Sequence, residues 1–246
     1  MQARAGDGVC AGLAGGEGRC VLGIAAAARA VIRKDVLLEW RGRARINATI
    51  FFAGLTLLLF SFAVGPRHEV LQTMAPGFLW LAVLLASVLT LSESMRLEMD
   101  NAALEGLRLL PVKPQGIFLG KALVNSLFLF VLALLLTPLS VAIYSAQIRL
   151  GVGSLVMVLA LGTCAISAPG TLYAAIATQA RARDLLLPLL LFPILVPGLL
   201  ASVKATDLVY NGDAMGQLGS WLRLMLGFNV VYWILCTLLF GRVIEE

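Results

Sequence analysis

Residues 93–121 read ESMRLEMDNAALEGLRLLPVKPQGIFLGK, the only long polar interruption in an otherwise oily chain. Met95, Met99, Ala102, Ala103, Gly106 and Leu110 recur at helical steps and share one face of a helix. Glu98, Asp100, Asn101, Glu105 and Arg108 occupy much of the rest, while Arg96 and Leu104 break the pattern. Pro111 and Pro114 end that helix, because neither can donate a backbone hydrogen bond. Two readings stand side by side: a solvated connector between two membrane spans, and a two-faced helix that docks a soluble partner.

The surroundings of this stretch decide the fold class. The chain has 246 residues, 60% hydrophobic and 13% charged, whereas a soluble domain carries about 25% charged residues. Several apolar runs approach the roughly 20 residues that span a bilayer as a helix. The expected fold is all-α and polytopic, with spans at about 46–64, 74–92, 119–143, 152–179, 185–203 and 222–241. Residues 26–246 are expected to form a single transmembrane domain. Residues 1–25, rich in Gly and Ala, are expected to be a disordered extension. Between them, residues 27–45 alternate basic with apolar groups. Arg33, Lys34, Trp40 and Arg41 predict a helix lying on the membrane surface among anionic lipids, or a basic flank that sets orientation.

The Lys and Arg residues sit beside the spans, so they read as topology signals before nucleic-acid contacts. With the N-terminus inside, only Arg67, Arg149, Lys204 and Arg223 of the nineteen fall in the outer connections. Both termini and the 93–121 connection are therefore expected in the cytoplasm. The outer connection at 204–220 is long enough for a short re-entrant helix. Two spans look broken, one by Pro169 and Gly170, the other by Pro188, Pro193 and Pro197. These are candidate hinges or packing kinks.

Catalytic chemistry is hard to find. The span interiors are read as free of Asp, Glu, Lys, Arg and His, which weighs against an ion-driven transporter or an intramembrane protease. Asn125, Thr163, Ser167, Thr171, Tyr173 and Asn229 read as helix–helix hydrogen-bonding groups. Cys10, Cys20, Cys164 and Cys236 form no metal-ligand spacing, and the single His68 is expected to be an exposed loop residue. Gly116 to Lys121 imitates a phosphate loop. It has one residue too few between its glycines, and Ala122 stands where Ser or Thr would hold magnesium. No nucleotide site and no catalytic residue are expected on this chain.

Arg96–Glu98, Leu104–Leu107, Leu110–Val112 and Gly120–Lys121 resemble the pattern of ABC-2-type export permeases. More narrowly, the chain resembles the CcmB family, the permease subunits of the haem-export ABC complex in cytochrome c maturation. That resemblance rests on Arg33–Asp35, Trp40–Arg41, Asn47, Phe51–Phe52, Phe60–Phe62, Gly65–Pro66, Ala102–Gly106, Pro111–Val112, Ile117–Lys121, Asn125, Arg183–Pro188 and Val243–Glu246. It implies a separate ATPase subunit, a second permease copy, other cytochrome c maturation membrane subunits, and the bacterial inner membrane. No cofactor is expected to be bound stably, and haem enters as a candidate transported substrate. The ATPase would dock on Met95, Glu98, Met99, Ala103, Glu105, Leu110 and Pro111. Rival readings are an ABC-2 exporter of a lipid, glycan or drug, and a non-transporting membrane scaffold.

Overall fold

The computed structural model describes residues 28–29, 31–36, 43–100, 114–178 and 183–245. Their regular elements are all helices. Six long ones follow in order: α1 (Arg43–Val64), α2 (His68–Asp100), α3 (Pro114–Tyr144), α4 (Val152–Thr178), α5 (Arg183–Asn211) and α6 (Leu218–Glu245). Each contains a stretch long and apolar enough to cross a bilayer. The protein is a multi-pass membrane protein with the expected six spans. The expected extension at 1–25 lies outside the described residues.

In water such helices would face one apolar stripe inward. Here they are apolar all round, as lipid requires, so packing is set by small residues and polar contacts. α4 sits centrally, touching α2, α3, α5 and α6, whereas α1 packs on α2 and α3. Burial follows this layout. In the most apolar windows of α2 and α4, 61% and 56% of residues are buried, against 22% for α1 and α6.

Glycines let bulky side chains seat between helices. Gly162 of α4 lies under the indole of Trp80 from α2, a side chain only 1% exposed. The Trp80 N–H donates to Thr206 Oγ1 of α5 at 2.9 Å, joining three helices. Gly170 receives Leu91 in the same way, and Gly198 lies against Phe228. Many hydroxyls bond back to a carbonyl four residues earlier on their own helix. Examples are Thr56 to Phe52, Thr90 to Ala86, Thr137 to Ala133, Thr163 to Leu159 and Ser202 to Gly198.

Two expectations need correction. α4 and α5 are not broken: each runs as one helix through Pro169 and Gly170, or through Pro188, Pro193 and Pro197. Pro76 and Pro138 likewise lie inside α2 and α3. A proline removes one backbone bond, and in a packed membrane bundle the flanking bonds and neighbours keep the helix going. Nor is there a re-entrant helix after α5. α5 continues to Asn211, α6 begins at Leu218, and the connection between them is 212–217. α5 runs past the expected span end at 203, to Asn211. Lys204, expected in the outer connection, is exposed on the helix, and Asp207 accepts a 2.6 Å hydrogen bond from Asn211, so helix continues beneath both.

At the end of the bundle that carries the 65–67, 145–151 and 212–217 connections, the turns are tied down. Tyr144 donates to the Leu57 carbonyl at 2.7 Å, and Arg149 and Leu150 amides donate to the Val209 carbonyl. Asp213 accepts from the amides of Gln217 and Leu218, both at 2.8 Å, at the start of α6. Those N–H groups, Leu218 first, hold its carboxyl below the usual aspartate range.

Candidate functional site

The opposite end carries the connections at 101–113 and 179–182, and there α3 enters the bundle. Residues 31–36 form a helical segment that lies against this first part of α3. Gly120 makes the approach possible. A Cβ there would stand 2.9 Å from the Ala28 carbonyl oxygen and 2.9 Å from Val31 Cβ. Val31 is accordingly buried, while Arg33 and Lys34 are exposed. This segment therefore turns Arg33 and Lys34 outward and Val31 onto α3. Trp40 and Arg41 lie outside the described residues.

The next residue, Lys121, is buried, with 3% of its side chain exposed. Its ammonium lies 3.9 Å from Asp35 Oδ2 and donates to the Ser94 carbonyl at 3.4 Å. Asp35, 13% exposed, also lies 3.5 Å from Lys34 Nζ. A cation this enclosed at the mouth of a membrane bundle is costly unless paired, so the Asp35 carboxylate and the Ser94 carbonyl are a physical requirement as much as a contact. Three chain segments meet at one ammonium: the N-terminal helix, the exit of α2 and the start of α3. Gly116 to Lys121 is helical throughout, whereas phosphate cradling needs a loop whose amides turn inward.

Above Lys121 a line of polar groups continues along α3, α4 and α6. Asn125 donates to Thr171 Oγ1 at 2.9 Å, and Ser167 donates to the Ala122 carbonyl. Ser126 and Cys164 Sγ lie 3.0 Å apart. Asn229 donates to the Leu161 carbonyl at 2.9 Å, and the Trp233 N–H to the Cys164 carbonyl at 3.2 Å. Asn125, Ser167, Thr171 and Asn229 thus act between helices, as read from the sequence. Thr163 differs, bonding only within its own helix among the described residues. Cys164, inside an apolar run, has a hydroxyl partner. These contacts position helices, and none presents an activated nucleophile.

The predicted docking residues are placed only in part. Met95, Glu98 and Met99 fall on the last helical stretch of α2, whose side chains lie outside the described set. Ala103, Glu105, Leu110 and Pro111 lie outside the described residues altogether. Among the candidate hinges, Pro169 and Gly170 are buried, Pro188 is half-buried, and Pro193 and Pro197 are exposed. His68 is exposed, at the first position of α2. Sequence reading missed the pairing of Lys121 with Asp35. The available signal was a lysine directly after a glycine and a full turn inside an apolar run.

The profile of the CcmB protein family matches residues 26–245. "Heme exporter protein B" of Pseudomonas aeruginosa is 31% identical over 182 residues, covering 74% of this chain and 81% of the relative. The protein of the same name from Rhodobacter capsulatus is 31% identical over 187 residues, 75% and 83% of the two chains. That from Bradyrhizobium diazoefficiens is 27% identical over 210 residues, 85% and 88%. With the match running from the surface helix through all six spans, the chain belongs to the CcmB protein family.

Proposed function

We propose that this chain is the permease subunit of an ABC transporter for haem export in cytochrome c maturation. The observation that carries the reading is the family match over residues 26–245, which takes in every helix described here. ATP hydrolysis belongs to a separate ATPase subunit, received by the two-faced stretch Met95–Leu110 and the Pro111 turn. Residues 26–246 work as one unit, beside a second copy of the chain and other cytochrome c maturation membrane subunits. The distribution of Lys and Arg supports both termini lying in the cytoplasm, and the family supports the bacterial inner membrane. ATP-driven motion delivers haem across the membrane or releases a haem-loaded chaperone, with Pro169–Gly170 and the α5 prolines as sites of bending. A clean deletion strain tests this. It is expected to lose c-type holocytochromes and keep b-type haem proteins, and normal c-type cytochromes in that strain would refute the assignment.

A further inference from the structure

We propose that Lys121 is a positioning residue that ties the last turns of α2 and the start of α3, on either side of the 101–113 connection, to the N-terminal helix, so that the three segments move as one body. α2 runs on to Asp100 and α3 begins at Pro114, with Ser94 within the last two turns of α2. Lys121 stands about two turns inside α3. Its ammonium reaches across to the Ser94 carbonyl at 3.4 Å, so the returning helix holds the departing one. Asp35 adds the third segment at 3.9 Å, from a helix whose seat on α3 exists because position 120 has no side chain. Both members of the charge pair are largely enclosed, so separating them leaves a poorly solvated charge on either side. Without this tie, a push on the connection is taken up by bending where α2 ends. With it, the same push reaches α2, α3 and the surface helix together. The soluble partner that pushes rests on the function proposed above, whereas the tie itself rests on geometry alone.

Hydrogen exchange on the full chain in lipid nanodiscs reads the tie directly. Lys121→Met and Asp35→Asn are each expected to speed amide exchange at residues 31–36 by about tenfold or more. The double variant is expected to be no faster than the faster single one, because the Lys121–Asp35 contact that holds residues 31–36 can be lost only once. A lysine that merely filled space would leave Asp35→Asn without effect and the two changes additive. In cells, Lys121→Met is expected to keep the ATPase subunit bound on co-purification and to lower c-type cytochrome yield by about tenfold. Wild-type exchange at 31–36 in Lys121→Met overturns the proposal. Should that variant not reach the membrane, Gly120→Ala carries the same test. Its added methyl meets the Ala28 carbonyl and Val31 and leaves Lys121 in place. Unchanged exchange there overturns the proposal equally. An ATPase that fails to co-purify with the wild-type chain would instead refute the transport reading and leave the exchange result standing.

Discussion

Gly162→Ala adds one methyl group at a tightly packed helix junction. The new Cβ would lie 2.7 Å from Cζ2 of Trp80 and 2.8 Å from Ser202 Oγ, and closer still to Cη2 of the indole. Neither neighbour has room to yield. Trp80 is 1% exposed and its N–H is committed to Thr206, while Ser202 is committed to the Gly198 carbonyl. Overpacking a tight core costs about 1–3 kcal/mol. If the indole swings away, its buried N–H loses its acceptor for about 1–3 kcal/mol more. Alanine recovers about 1 kcal/mol through its better helix propensity. The net is destabilisation of about 3 kcal/mol, or roughly a hundredfold in the folded-to-unfolded ratio. For a chain this size that lowers the thermal midpoint by about 6–12 °C. The assay is recovery of the monodisperse species by size exclusion after heating in detergent. Trp80→Phe removes the ring atoms that the methyl meets, so Gly162→Ala in that background should cost under about 1 kcal/mol. A midpoint within about 1 °C of wild type would refute the packing argument. An equal loss in the Trp80→Phe background would show that the indole is not what the methyl meets.

Met99→Asp would place an unpaired carboxylate in the apolar face of the proposed docking helix. It is expected to weaken retention of the ATPase by about a hundredfold or more, with Glu98→Gln doing much less. Co-purification at matched membrane levels measures it, and wild-type retention by Met99→Asp would remove the apolar anchor. Asp213 makes a pH prediction. Its carboxyl sits below the ordinary value in the folded protein, so its stabilising contribution is complete above pH about 4 and is lost as the pH falls further, through the folded value. Asp213→Asn should remove that part of the acid-induced fall in thermal midpoint, while a profile parallel to wild type would show that the cap carries no pH-dependent stability.

The number of spans was legible because hydropathy over 20 residues is a coarse and robust signal, and each of the six appears. Their ends were less so. Lys204 reads as part of an outer connection, yet α5 passes beneath it because a charged tip can leave the bilayer while its backbone stays helical. The prolines of α4 and α5 overstated their effect for a similar reason: local propensity argues about isolated helices, and packing decides in the bundle. Asn125, Ser167, Thr171 and Asn229 were readable as interhelical groups because an amide or hydroxyl in lipid must find a partner. Which partner it finds is a matter of helix arrangement. Lys121 and Asp35 lie far apart in the chain, and each had a sufficient local explanation as a basic or acidic flank. Only their convergence beside Gly120 gives them a shared role.

The hydroxyls that bond back along their own helices bear on how the chain is made. Thr56, Thr90, Thr137, Thr163 and Ser202 are each satisfied by a carbonyl of the same span. Such a span carries little exposed hydrogen-bonding demand when it first leaves the translocation machinery, so it can rest in lipid before its neighbours exist. Other contacts demand another helix: Trp80 with Thr206, Asn125 with Thr171, Ser126 with Cys164, Ser167 with the Ala122 carbonyl, Tyr144 with the Leu57 carbonyl, Asn229 with the Leu161 carbonyl, Trp233 with the Cys164 carbonyl, and Lys121 with Asp35. Of these groups, Trp80, Asn125 and Ser126 wait for a helix synthesised later. During synthesis Asn125 and Ser126 are idle until α4 arrives, and Trp80 until α5. A chain arrested between α4 and α5 would display the Trp80 N–H unmet in the membrane, a specific mark by which an incomplete copy differs from a finished one.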